Sequence, residues 1–429
     1  MNQELLTYIE QSPSMFHAAE TTARLLSENG FTYLDESSNW TLVPGGKYYT
    51  TRNSSSLLAW RMPKGEFTGF MAMAAHSDSP FLKLKENAEQ FDEHYVRLSV
   101  ERYGSPLLAP WFDRPLSVAG RVLIRTKEGF TERLVDMAEP IAVIPSLAIH
   151  MNREANDKAS YNMAVDMLPL IGERGDGVPD LRARIAEKLG IKDTDILTTE
   201  LYMYNCQKGM VWSNYVSAPR LDDLQCAFAG VQGIIHAEDS ASIPVYCLFD
   251  NEEVGSETRQ GAASTFLIDL LDRICADLGL SGEERMHKMA NSFMVSADNA
   301  HAVHPNHPEY RDPNNSVYMN KGVVIKYNAR QSYASDAISA AVIRLICEQV
   351  DVPVQVYANR ADLRGGSTLG HIATTQVSIP TVDIGCAQIA MHSCFETAGA
   401  EDTEYMARAL TMYFSTALIK DENGYHFVE

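Results

Sequence analysis

Several apolar runs in this chain end in side chains that can do chemistry. The run 70–75 stops at His76-Ser77-Asp78, the run 243–249 stops at Asp250-Asn251-Glu252-Glu253, and the run 292–297 stops at Asp298. His392 follows the run 381–385 through "GCAQIAMHS", and Asp222 stands in "PRLDDL" at the junction between a loop and an apolar helical stretch. In an open α/β sheet the crevice beyond the strand carboxyl ends is where ligands bind, so these side chains are expected to converge. Several converging carboxylates repel one another and raise each other's pKa values unless a cation is present.

Two histidines with several carboxylates and no thiolate suit zinc, with cobalt or manganese as alternatives. A carboxylate shared between two such ions holds them about 3.5–4 Å apart, and Asp222 is the candidate for that bridge. The paired glutamates then divide the work. Where a strand dissolves into a loop, Glu253 can ligate metal while Glu252 turns toward water as a general base. A bound metal lowers the pKa of its water from about 15.7 to about 7 and polarises a carbonyl, which is the work of hydrolysis.

The elements that must position these residues follow from periodicity. Residues 14–29 carry helical spacing at Phe16, Ala19, Ala23 and Leu26, and two buried strands follow, the second ending at His76. From about 88 to 213 the texture changes to alternating, hairpin-like strands such as "HYVRLSVERYG", "SVAGRVLIRTKEG" and "RLVDMAEPIAVI". After Asp222 a βα rhythm returns: helix 223–237, strand 243–249, helix 258–279, strand 292–297, and helix 335–350 with Ile338, Val342, Leu345 and Ile346 on one face. Strand "VPVQVYA", a Gly-rich turn, a short helix and strand "TVDIG" complete it. This pattern predicts an α/β domain with a doubly wound, mixed but largely parallel sheet, formed by 1–87 and 214–429 and interrupted by a β-rich insert at 88–213.

The bulk numbers narrow the partners. A length of 429 residues with 45% hydrophobic content supports two domains. A net charge of −20 disfavours nucleic acid and anionic membrane surfaces. No run reaches the roughly 18 apolar residues of a membrane span, and the N-terminus has no signal-peptide pattern. Seven cysteines without a C-x-x-C sit mostly in apolar runs, so a reducing cytoplasm is the expected home.

Taken in order, "AAHSDSP", "PRLDDL", "FDNEEVGS", "SADNAHAVHPN" and "GCAQIAMHS" closely resemble the aspartyl aminopeptidase family of dinuclear-zinc exopeptidases. The resemblance runs along essentially the whole chain. It implies that His76, Asp222 and Asp298 hold one metal, that Asp222, Glu253 and His392 hold the other, that Glu252 is the base, and that Asp78 orients His76. It also implies that the insert is a dimerisation domain, with dimers assembling into a dodecamer, and that His150 in "SLAIHMNR" reaches a neighbouring subunit's site.

In the loop "DNAHAVHPNHPEYRD", Pro305 and Pro308 break any helix that would align His301, His304 and His307 as a third metal site. By resemblance, His301 and His304 line the substrate pocket. "LRGGSTLGH" lacks the G-K-[ST] of a phosphate loop, and its glycines let backbone approach a peptide closely. Family members typically remove N-terminal Asp or Glu, and Lys326 occupies the position of a basic pocket residue. The chain departs from many relatives at Ser332, where they carry Arg before the Tyr-Ala pair. A neutral-preferring or broad aminopeptidase with the same centre is therefore the alternative, and a non-catalytic metal-stabilised assembly module is the alternative of another class.

Overall fold

The computed structural model describes residues 1–175 and 180–428. Its largest sheet has nine strands, and the centre is parallel: Ile243–Phe249, Phe70–His76, Phe293–Ala297 and Thr381–Gly385 lie side by side in that order. These four are buried along their whole length because both faces are covered, and apart from Asp383 in the last they are dominated by apolar or small residues. The antiparallel strand Ser56–Arg61 flanks one side of this centre, and the antiparallel Val323–Tyr327 flanks the other. One face buries Ala59, Met73, Tyr246 and Val295 against the helices Leu221–His236, Ala337–Gln349 and Asp402–Phe414. The opposite face buries Leu58, Phe70, Val245 and Met294 against the helix Phe266–Asp277. This is the expected doubly wound α/β domain with a mixed, largely parallel sheet.

A second sheet of six strands, from Phe81–Phe91 to Ile196–Asn205, has its own core around Leu98, Val118, Val122 and Met203. All its strand pairs are antiparallel, and its strands mix buried with exposed positions where the central strands of the large sheet are buried throughout. This is the β-rich insert. The strand Met210–Trp212 pairs instead with Tyr215–Ala218 in a five-stranded sheet that also holds Glu396–Gly399, Ala387–Ile389 and Ala300–His301. That small sheet carries the return of the chain on either side of His392.

Two expectations need correction. The helix predicted over 258–279 begins only at Phe266. Residues 256–265 instead brace the preceding turn, with Thr258 Oγ1 and Gln260 Nε2 both donating to Asn251 Oδ1, at 2.8 and 2.7 Å. In the helix Ala337–Gln349 the buried face is centred on Ile343, with Ser339, Ala340, Val342, Ile346 and Cys347 around it. Ile338 and Leu345 lie on the opposite side and are exposed.

Candidate metal centre

The parallel strands deliver the expected side chains to one place. In the register of the sheet, Phe249 stands opposite His76, so the turn after Phe249 lies beside that histidine. His76, Asp222, Glu252, Glu253, Asp298 and His392 all line one cavity of about 370 Å³. Asp222 is the centre of the cluster. Its Oδ1 lies 3.5 Å from His76 Nε2, and its Oδ2 lies 3.8 Å from His392 Nε2. His392 Nε2 is also 3.5 Å from Glu253 Oε2. One ligand atom each from His76, Asp222 and Glu253 lies within 4.8 Å of the others, and the same holds for Asp222, Asp223 and Asp298.

Asp222 comes from the first turn of the helix Leu221–His236, where Asp222 and Asp223 leave helical φ/ψ and are joined by a cis peptide bond. Asp223 is fully buried, and its Oδ2 accepts from the His76 backbone N–H at 3.2 Å.

Asp78 organises the opposite side. Its Oδ1 is 3.3 Å from His76 Nδ1 and accepts from the Glu252 N–H at 3.1 Å. Its Oδ2 accepts from Tyr103 Oη at 2.8 Å and from the Glu253 N–H at 3.1 Å. Asp78 therefore holds the His76 ring through its backbone O, 3.1 Å from Nδ1, and the backbone of both glutamates through its carboxylate. Asn251 makes this turn possible by adopting a left-handed conformation, φ 63°, which Asn tolerates better than most residues. Its Nδ2 donates to the same Tyr103 hydroxyl at 2.8 Å.

Tyr103, Glu396 and Asn299 were not read from the sequence. Tyr103 ends a strand of the insert, 148 residues before Asn251, so no local pattern signals it. Glu396 is buried and accepts from the Asp222 N–H at 3.0 Å and from the His392 N–H at 2.7 Å. It holds two predicted ligands by their backbone. Asn299 ties the loop after Asp298 to the helix of Asp222 by donating to Leu221 O and Gln225 Oε1. The one available signal was position: Asn299 directly follows Asp298, and Glu396 lies four residues after His392.

The electrostatics match a site built for cations. Burial opposes the ionised forms, yet His76 is held well above its usual pKa by Asp222 and Asp78, and Asp222 is held below its own by His76, His392 and Lys326. The other carboxyls go up. Burial drives Glu252 to about 8, against His76 and with Asp298, Asp78 and Asp222; Asp298 rises to about 6 for the same reason despite Lys326. Glu253 is raised well above the carboxylate range by burial, Asp222 and Glu252. Buried Asp222 Oδ1 and Asp223 Oδ1 have no hydrogen-bond partner, an arrangement that costs about 1–3 kcal/mol per group unless something else satisfies it. A divalent ion does so and restores the ionised carboxylates, so the residues present fit a metal.

The model of the aminopeptidase I zinc metalloprotease family, M18, matches residues 8–414. The chain belongs to the M18 family. It is 42% identical over 424 residues to a probable M18 family aminopeptidase 2 of Clostridium acetobutylicum, covering 96% of this chain and 98% of that one. A cryo-EM structure of the Ape4 and Nbr1 complex contains a chain similar to it at TM-score 0.93 and 33% identity, covering 96% of this chain and 85% of that one. The mApe1 dodecamer of S. cerevisiae is similar at TM-score 0.84 and 28% identity, covering 96% of each chain. The chain is accordingly a metallopeptidase of the aminopeptidase class.

The remaining predicted residues of this M18 chain sit at different distances from the centre. Lys326 lines the metal-ligand cavity but is only 2% exposed. Its Nζ donates to Asn299 O at 3.1 Å and lies 3.6 Å from Asp298 Oδ1. Asp298, Tyr333 and Asp383 overcome its burial and hold its pKa above the usual value, so it stays charged. His301 lines the same cavity; it is exposed, and partial desolvation at the cavity wall and Lys326 lower its pKa. Gly366 of the Gly-rich turn also reaches it, and a Cβ there would meet nothing within 4 Å. His304 lies in an adjoining cavity instead, with its ring 5.3 Å from that of His307. His150 is exposed in a turn of the insert and does not line the cavity of its own chain.

Proposed function

We propose that this M18 peptidase removes single residues from the N-terminus of peptides, with Asp or Glu the favoured first residue, using two divalent metal ions per subunit. His76, Asp222 and Asp298 would hold one ion and Asp222, Glu253 and His392 the other, with zinc the first choice and cobalt or manganese suited to the same donors. The observation that carries this reading is Asp222, each of whose oxygens faces a different histidine while Oδ1 lacks any hydrogen bond. That is the disposition of a bridging carboxylate. When bound, the ions polarise the scissile carbonyl and acidify the attacking water.

Glu252 takes the water proton and later passes it to the leaving amine. Its backbone is fixed by Asp78, and its side chain lines the cavity beside the ligands. The substrate's free α-amine anchors at the metal centre, which limits cleavage to the first residue. Lys326 faces an acidic side chain of that residue. A neutral preference is the second reading, because Lys326 Nζ already has Asp298 and Asn299 O as partners and Ser332 stands where many relatives carry Arg.

The insert serves self-association, in dimers that build a dodecamer. Around exposed His150, Leu147, Ile149 and Met151 are 59%, 46% and 76% exposed, an apolar patch suited to a neighbouring subunit. His150 would then complete that neighbour's site. The seven thiols are free and fit a cytoplasmic home. No helix of the described residues is long and apolar enough to cross a membrane.

One experiment tests the core of this. Glu252→Ala should keep its metal content while peptidase turnover falls by about 10²–10⁴, measured on Asp-, Glu- and Leu-initiated peptides. Full activity in that variant would remove Glu252 as the base. A higher kcat/KM for the Leu peptide with the unmodified enzyme would replace the acidic preference by the neutral one.

A further inference from the structure

A second cavity, of about 330 Å³, opens beside the metal-ligand cavity. The two share His301, Tyr357 and Gly366 as common walls, so a molecule bound in one can extend into the other. An exopeptidase that accepts one residue on the amino side must house all the rest of its substrate on the leaving side. A volume of this order is typical of a small-ligand compartment.

The charge of this compartment runs against that of the chain. The protein carries −20 overall, yet Arg311, Arg360, Arg364, His304 and His307 line this wall. One carboxylate, Asp312, lines the wall as well and is tied into its own turn, and those of Glu309 and Asp362 nearby are paired. Asp312 Oδ1 accepts from the Asn314 and Asn315 N–H groups, each at 3.0 Å, and from Asn315 Nδ2 at 2.8 Å. Glu309 pairs with His307 at 3.0 Å, and Asp362 takes both Nε and Nη2 of Arg360 at 2.6 Å. Arg311 donates Nη1 to Pro308 O at 3.1 Å. Among the described residues, neither Arg311 nor Arg364 has a carboxylate partner. Guanidinium groups grasp carboxylates in a forked, two-point geometry, and a concave wall with three arginines against one aspartate concentrates negative charge.

We infer that Arg311 and Arg364 form a binding compartment for a carboxylate on the peptide downstream of the scissile bond. That carboxylate comes from an acidic side chain or from the C-terminus of a short peptide. The inference rests on the aminopeptidase reading and adds to it a preference at the substrate positions beyond the first residue.

The test uses the metal-replete full chain and tripeptides that share one first residue: Xaa-Ala-Ala with a free C-terminus, its C-terminal amide, and Xaa-Ala-Glu amide. Two series, with Xaa as Asp and as Leu, keep the result independent of first-residue preference. At least one carboxylate-bearing peptide should exceed the plain amide by about tenfold in kcat/KM, chiefly through KM, as a charge-assisted contact implies. The free acid and the Glu amide tell the two sources apart. In the Arg311→Gln/Arg364→Gln variant the ratio should fall toward one. Equal kcat/KM for all three peptides in the unmodified enzyme overturns the inference while the aminopeptidase reading stands. A ratio that survives in the variant assigns the preference elsewhere and also overturns it. If no peptide loses its first residue, the aminopeptidase reading fails and takes this inference with it.

Discussion

Replacing Asp78 by Asn tests whether a residue that touches no substrate sets up the metal centre. Asp78 is fully buried and its carboxylate accepts three hydrogen bonds, from the Glu252 N–H at Oδ1 and from Tyr103 Oη and the Glu253 N–H at Oδ2; Oδ1 also faces His76 Nδ1 at 3.3 Å, whose own hydrogen bond goes to the Asp78 backbone O at 3.1 Å. An amide group must turn its NH₂ toward the donors at one oxygen or the other. The less costly choice is Oδ2, because the Tyr103 hydroxyl can rotate and accept, but the Glu253 N–H is then stranded. A stranded buried donor costs about 1–3 kcal/mol. The lost negative charge offsets part of this, since Asp78 raises the pKa of Asp250, Glu252 and Glu253 by repulsion.

The fold should therefore survive, while the turn bearing Glu252 and Glu253 loosens and His76, still held by the Asp78 backbone O and still facing Asp222, loses one of its two charged neighbours. Changing such an outer partner typically weakens metal binding about 10–100-fold. Metal affinity is measured by competition with a chromophoric chelator, kcat at saturating metal by peptide hydrolysis, and folding by circular dichroism and Tm. A folded Asp78→Asn chain with metal affinity and kcat within twofold of the unmodified enzyme would refute the argument.

Further outcomes follow from the same geometry. Glu396→Gln sets an NH₂ against either the Asp222 or the His392 N–H, so metal affinity should fall about tenfold, read by the same chelator competition; unchanged affinity would show that these ligands are held by other contacts. Gly104 has φ +72°, and a Cβ there would lie 3.1 Å from Glu253 Cβ, so Gly104→Ala should lower Tm, with the left-handed strain alone costing about 1–2 kcal/mol; a Tm within a degree of the unmodified chain would contradict this. The pH dependence has a definite sign. The folded-state pKa values of Glu252, at about 8, and Asp298, at about 6, lie above their ordinary values, so the metal-free fold holds protons that the unfolded chain has already released. Its stability should fall as pH rises from about 4.5 to about 8. Metal displaces those protons, so the gain in Tm on adding zinc should grow across the same window, and a gain that is flat or shrinks with pH would count against the carboxyl cluster as the binding site.

The parallel strands were legible because continuous apolar runs of this length have few other uses, and the strands 243–249 and 381–385 fall where the sequence places them. The helix after Glu253 was less legible for a reason that concerns the site itself. Residues 256–265 have helix-compatible composition, but Thr258 and Gln260 are spent holding Asn251, and Asn251 holds the turn that presents both glutamates. Tertiary hydrogen bonds there override local propensity. The helix Ala337–Gln349 failed differently: Ile338 and Leu345 look like core by type, and only the neighbouring helix Asp402–Phe414 and the sheet decide which side is covered.

The same division applies to the candidate site. Histidines and carboxylates at strand ends announce themselves by residue type, whereas the groups that hold them do so only through space. Asp78 was legible because it is two residues from His76. Tyr103 was not, because it arrives from the insert. Its hydroxyl donates to the carboxylate that fixes Glu252 and Glu253, so the inserted domain has a role beyond the assembly proposed for it. It supplies a fixed point of the metal-centre turn. Tyr103→Phe separates the two roles: the insert's other contacts remain, and Asp78 Oδ2 keeps only the Glu253 N–H. That variant should retain its oligomeric state by light scattering while kcat falls severalfold, by about the 0.5–1.5 kcal/mol of one hydrogen bond, and an unaltered kcat would confine the insert to assembly.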